Sequence, residues 1–278
     1  MKLCFSTLGC PNWTIQEVLR AAQKYGYGGV ELRGAGRQHI SPEFTPLERR
    51  DVRQRFEDAG LEIVCLTAYT RFAQTEASAL AEQVETLKQY IDLAAEIGAP
   101  LVRTFGGEYP EAVDRERLFE GMATGLREAG DYAAQAGVKI VLETHDAFCL
   151  GAVTGDVLKR TNHPAVGVLW DVWHTFRFGE TLPEAYNHLQ GYIFHVHLKD
   201  GQLRPERGPG EHNLCLPGEG DLPIKAVLSL LMDQGYQDWF CLEWEKTWHP
   251  ELPETEVALA HFAELMQGYW TEIVDGSQ

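Results

Sequence analysis

Eight short apolar runs recur along the chain, each bounded by Gly, Pro or polar residues, and stretches with helical periodicity lie between them. The runs are KLCFSTL (2–8), GGVELRG (28–34), EIVCLTAY (62–69), PLVRTFGG (100–107), VKIVLETH (138–145), VGVLWDVWH (166–174), GYIFHVHLKD (191–200) and DWFCLEWEK (238–246). The clearest helical stretches are 14–26 and 77–98, with others at 115–137, 221–235 and 255–270. Several end in Gly, as helix C-termini often do. A strand and a helix about every 35 residues is the cadence of a parallel (β/α)8 barrel of about 250 residues. No GxGxxG follows the first run, which argues against a doubly wound open sheet. No Pro-, Gly- or Ser-rich linker divides the sequence, so the expectation is an α/β chain forming one (β/α)8 TIM barrel domain over 1–278.

Charge then narrows the partners. The formal net charge is −17, with no run of Lys or Arg to gather a phosphate backbone. The first residues, MKLCFSTLGCPNW, lack the apolar core of a signal peptide, and nothing approaches the ~20 apolar residues of a membrane span. The expectation is a soluble, cytoplasmic protein with a small-molecule partner, no nucleic acid and no membrane; a homo-oligomer is left open. Six cysteines without a CxxC pair argue against disulfides or a zinc–thiolate site.

In a parallel barrel, ligands bind at the C-terminal ends of the strands. The fifth run ends in Glu143 and His145, the sixth in Asp171 with His174 three residues on, the seventh in His197 and the eighth in Glu243. Because residues two apart share a face, Glu143, His197 and Glu243 can point inward while their apolar neighbours pack under helices. Glu143, Asp171, His197 and Glu243 together offer three carboxylates and one imidazole. Such an oxygen-rich set suits one divalent ion, Mn²⁺ first, with Mg²⁺, Co²⁺ or Zn²⁺ as alternatives. The structural alternative is a set of separate salt bridges at strand ends.

Other polar residues carry two readings each. His195, one layer below His197, reads as a hydrogen-bonded core histidine before a ligand. His145 lies nearer the mouth, as a substrate contact or a support for the ligands. Lys199 and Asp200 read as a loop ion pair, or Lys199 as a group binding a substrate oxygen. Glu31 and Arg33 are expected to pair in the mouth. PGEGDLP reads as a glycine turn with Asp221 capping the next helix, a place for phosphate only against the charge of Glu219 and Asp221. Trp13, Trp173, Phe176 and Trp248 are candidate pocket walls.

VELRG, VLETH, LWDVWH, HVHLKD, PGEGDLP and CLEWE, in this order across nearly the whole chain, resemble the xylose isomerase-like barrels, grouped with sugar-phosphate isomerases/epimerases and type 2 AP endonucleases. The resemblance implies that Glu143, Asp171, His197 and Glu243 hold one divalent cation, with Glu143 and Glu243 also acting as acid and base. His174, in the DxxH position, would contact substrate or support the ligands from outside. An α-hydroxy ketone bound there would lose its neighbouring proton to one carboxylate, giving an enediolate that the other could reprotonate.

The chain also departs from that pattern. Ketohexose epimerases of the family carry a Glu where Cys149 stands and an Arg where Leu203 stands, with Arg204 beside it as a candidate substrate contact. The endonucleases carry extra histidines where this chain has Thr67, Tyr69, Arg103 and Thr104, leaving only His212 of the late ligands. The expected function is a metal-dependent isomerase or epimerase of a small keto-sugar or related polyol. The alternatives are a dehydratase of an inosose or dehydroshikimate type, with His145 or Lys199 as the acid, and a non-catalytic ligand-binding barrel.

Overall fold

Each apolar run becomes a barrel strand. In the computed structural model, which describes residues 1–35 and 38–276, these are β1 (Lys2–Ser6), β2 (Gly29–Arg33), β3 (Glu62–Arg71), β4 (Leu101–Phe105), β5 (Lys139–Glu143), β6 (Val166–Asp171), β7 (Ile193–Leu198) and β10 (Trp239–Leu242). They follow one another around a closed parallel barrel, in which β10 pairs with β7 on one side and β1 on the other. The chain thus folds as a (β/α)8 barrel.

The helices are α1 (Ile15–Tyr25), α2 (Pro46–Ala59), α3 (Ala77–Ile97), α4 (Arg115–Gln135), α5 (Gly151–Thr161), α6 (Val172–Arg177), α7 (Leu182–Leu189), α8 (Ile224–Asp233) and α9 (Thr255–Gly276). Four of them, α2, α5, α6 and α7, escape a reading by periodicity. Only Val52 and Phe56 of α2 are buried, and α6 and α7 are one to two turns long. The starts of two of them were nonetheless written as capping boxes: Thr45 with Glu48 begins α2, and Thr181 with Glu184 begins α7.

The stretch after β7 is not a plain loop. An antiparallel hairpin, β8 (Asp200–Leu203) and β9 (His212–Cys215), stands outside the barrel. Asp200 ties it down, since its carboxylate accepts hydrogen bonds from the backbone N–H groups of Gly201, Gly218, Gly220 and Leu222 at 2.8–3.1 Å. A Cβ at Gly220 would run into that carboxylate. Asp200 is therefore no partner for Lys199, and the expected loop ion pair is corrected. Asp221 does not cap α8 either: its side chain accepts from Leu203 N–H at 2.7 Å, and Pro223 occupies the N-cap without a side-chain bond. Asp200→Ala strands four backbone donors, each costing roughly 1–3 kcal/mol if it stays dry. A loss of about 3 kcal/mol in urea unfolding is expected; a change within about 0.5 kcal/mol would mean that water replaces the carboxylate.

No helix among the described residues is long and apolar enough to cross a membrane.

Candidate metal centre and active site

Alternation along the strands sorts the barrel interior into layers. Cys4, Cys65, Leu101, Val141, Leu169, Trp239 and Cys241 pack together as an apolar floor. Two residues further along the same strands come Arg103, Glu143, Asp171 and Glu243, all buried. The charge is thus stacked on the floor, at the strands' C-terminal ends.

The structure brings Glu143, Asp171, His197 and Glu243 together, with one ligand atom of each within 4.8 Å of the others. Both Glu143 oxygens, Asp171 Oδ2 and His197 Nδ1 are buried without an aligned hydrogen bond. Lys199 Nζ lies 2.8 Å from Asp171 Oδ2 and Arg103 Nη1 3.2 Å from Glu143 Oε2, close enough to attract but off the hydrogen-bonding directions. Burial and the neighbouring carboxylates push Asp171 up to about 7, against the pull of Lys199. Burial also raises Glu143. Glu243 ends well below its usual range, because Lys199 and His197 outweigh its burial.

His197 shows how the fourth donor is aimed. Its Nε2 lies 2.9 Å from Glu31 Oε2; a carboxylate can only accept, so Nε2 carries the proton. Nδ1 is left facing Glu243 Oε1 at 3.3 Å and Glu143 Oε1 at 3.9 Å. Burial opposes a charged ring there, but Glu31 and Glu243 outweigh it and hold His197 well above its ordinary value. A divalent ion would take the place of the Nδ1 proton, so the donor set fits one.

Glu31 does not pair with Arg33, as sequence adjacency suggested. It faces His197 and, at 3.3 Å, His195 Nε2, while Arg33 Nε donates to the Tyr69 hydroxyl at 2.7 Å. His195 is buried beside Glu31, with no aligned hydrogen bond at either ring nitrogen. Glu31, His195, His197 and Cys241 form another compact donor group, as do Glu143, His145 and His174.

His174 and His145 meet edge to face, 4.6 Å between centroids. Arg177 Nε donates to His174 Nδ1 at 3.1 Å, and Nε2 lies 3.5 Å from Asp171 Oδ2. Burial and the cations around it keep His174 neutral. Lys199 Nζ approaches that Nε2 at 3.1 Å, but its charge is directed at Asp171, Glu243 and Glu245. His145 Nδ1 lies 2.7 Å from Asp146 Oδ1. Arg204 stays within the hairpin, where its guanidinium donates to Gln202 Oε1 and Leu203 O. The structure does not bring it to the cluster.

A cavity of about 180 Å³ opens onto Glu143 and Glu243, walled by Tyr69, Arg71, Arg103, Phe105, His145 and Trp248. Of the four aromatic candidates only Trp248 reaches it; Trp173 is buried and Trp13 lines a groove beside α1. The mouth has two unlike walls, with Arg33, Arg71 and Arg103 on β2, β3 and β4 and the carboxylates on β5, β6 and the end of β10. Arg71 and Glu245 escaped the reading of strand ends, and Arg103 was named there without a role at the cluster. An arginine inside the apolar run LVRTF, on the face shared with Leu101 and Phe105, was the available signal.

Residues 19–265 match the family described as xylose isomerase-like TIM barrel. Over 239 residues the chain is 25% identical to a 3-dehydroshikimate dehydratase of Pseudomonas putida, covering 83% of this chain and 36% of that protein. The chain thus spans about a third of that enzyme's length. An inosose isomerase of Bacillus velezensis is 23% identical over 250 residues, 87% of this chain and 88% of its own. The solved structure of the IOLI protein with a binding zinc atom superposes with a TM-score of 0.80 at 20% identity, covering 95% of this chain and 97% of that one.

Proposed function

The chain belongs to the xylose isomerase-like TIM barrel family, and we propose that it is a divalent-metal-dependent isomerase or epimerase of a small keto-sugar or related polyol. The observation that carries this reading is the buried quartet of Glu143, Asp171, His197 and Glu243 opening onto the cavity. Mn²⁺ suits three carboxylates and one imidazole, and the zinc of the IOLI neighbour supports a divalent ion in this fold. When bound, the ion polarises a carbonyl and offsets negative charge developing on its oxygen.

The chain's own residues handle the protons. Glu243, held ionised by Lys199 and His197, accepts a proton from the carbon beside the carbonyl. Glu143, the other glutamate onto which the cavity opens, is placed to return one. His174, packed edge to face on the cavity-lining His145, orients a substrate oxygen. His174→Ala is expected to lower kcat/KM roughly 100-fold while keeping most of the metal; metal loss equal to that of Asp171→Ala would make it a ligand.

A second reading is favoured by the Pseudomonas relative: the same enediolate expels a β-hydroxyl, with His145 or Lys199 as the acid. Mn²⁺-loaded protein given keto-sugars and cyclic keto-polyols, followed by mass and NMR, separates the two. A product of unchanged mass supports the isomerase, and loss of one water supports the dehydratase. Metal binding without any product across the panel would overturn both in favour of a ligand-binding barrel.

A further inference from the structure

The cavity over the quartet is small. Its 180 Å³ is room for about six waters at ~30 Å³ each, which is one sugar ring and little more. The open space does not end there. His145 and Glu245 also line a second cleft of about 570 Å³, between the β8–β9 hairpin and the segment after β10. Their side chains are 33% and 18% exposed, so they form a rim between the two spaces and not a closed partition. A molecule whose reacting end fills the inner cavity can extend over that rim into the outer cleft, which by itself has the volume of a small-molecule site.

The outer cleft is held open from both sides. Asp200 ties down the hairpin, and Arg177 Nη1 donates to Gly210 O at 3.1 Å. On the opposite side Lys246 Nζ donates to Pro250 O at 2.9 Å and to Glu254 Oε1 at 3.1 Å, fixing the segment that carries His249 and Glu251. The lining is mixed in sign. Arg177 can only donate hydrogen bonds, Glu211 and Glu251 in their ionised form only accept, and Asn213 does both. A phosphate would meet Glu211, Glu245 and Glu251, and an ammonium group would meet Arg177. A hydroxyl donates and accepts at once, so a ring of hydroxyls suits both kinds of wall.

We infer that the substrate is a keto-sugar joined to a second sugar, whose unreacting ring lies in the cleft beside the hairpin. The inference rests on the enolising chemistry proposed above and names the substrate class of that site. Asn213 on β9 and His249 after β10 then determine specificity away from the reacting atoms.

The test is calorimetry on the Mn²⁺-loaded protein with fructose and three disaccharides that carry it as the ketose half: maltulose, isomaltulose and lactulose. At least one disaccharide is expected to bind on the order of 30-fold more tightly than fructose, the scale of two added hydrogen bonds. Asn213→Ala and His249→Ala, both outside the barrel, should each lower that preference several-fold and together bring the disaccharide to within a few-fold of fructose. Fructose 6-phosphate tests for an anion in the cleft. The proposal is overturned if no disaccharide binds more tightly than fructose, if the phosphate outdoes all three, or if the variants weaken fructose as much as the disaccharide. Deuterium exchange run on the same sugars keeps the two ideas apart. A preference for the disaccharide without exchange refutes the enolising reading and leaves the second subsite, whereas exchange without the preference does the reverse.

Discussion

Wild-type protein is expected to take up a single divalent ion and Asp171→Ala none, as measured by metal analysis after dialysis. Asp171 is fully buried, and its carboxyl is pushed up to about 7 by burial and by Glu243 and Glu143. Removing it therefore relieves like-charge stress in the metal-free protein while withdrawing a central ligand. The same carboxylate accepts from His174 N–H as the N-cap of α6, so the variant should also lose about 1 kcal/mol of stability. Linkage supplies the larger readout: at an ion concentration of about 1,000 times Kd, wild-type protein gains about 4 kcal/mol, seen as a raised Tm. The variant should gain nothing. A wild type that binds three zinc ions per chain would refute the mononuclear centre.

The second large effect concerns proton transfer. In deuterium oxide, a substrate passing through an enediolate should acquire deuterium next to its carbonyl. Glu143→Gln and Glu243→Gln each keep a ligand oxygen but lose the base, so exchange should fall roughly 100- to 10,000-fold where metal is retained. Exchange persisting at the wild-type rate in both variants would remove the glutamates from the acid–base role. Wild-type turnover without any uptake would instead point to a hydride shift between neighbouring carbons, with the glutamates serving as ligands alone.

The barrel was legible because strands buried on both faces leave continuous apolar runs, and eight of them survive in the sequence. The quartet was legible for a related reason: a carboxylate ending an apolar run has few places to go but the mouth. Partner choice was not legible. Lys199 has Asp200 beside it in sequence, yet it faces Asp171, Glu243 and Glu245 from other strands, while Asp200 is claimed by four backbone donors. Glu31 and Arg33 share a face but differ in depth, and depth selected His197 for one and Tyr69 for the other. Arg204 could not be placed because the hairpin that holds it depends on Asp200 reaching Gly218, Gly220 and Leu222, some 20 residues away.

The two unlike walls of the mouth also divide the gene. Arg33, Arg71 and Arg103 are encoded ahead of α4, and Glu143, Asp171, His197 and Glu243 all follow it. A single crossover within the codons for that helix would exchange one wall between homologous barrels and leave the other intact. The cationic wall and the acidic wall can thus be inherited from different parents. Glu31 is the stitch across the seam, since it lies in the first segment but orients His197 in the second. A recombinant that keeps this orientation of His197 must carry an acceptor there.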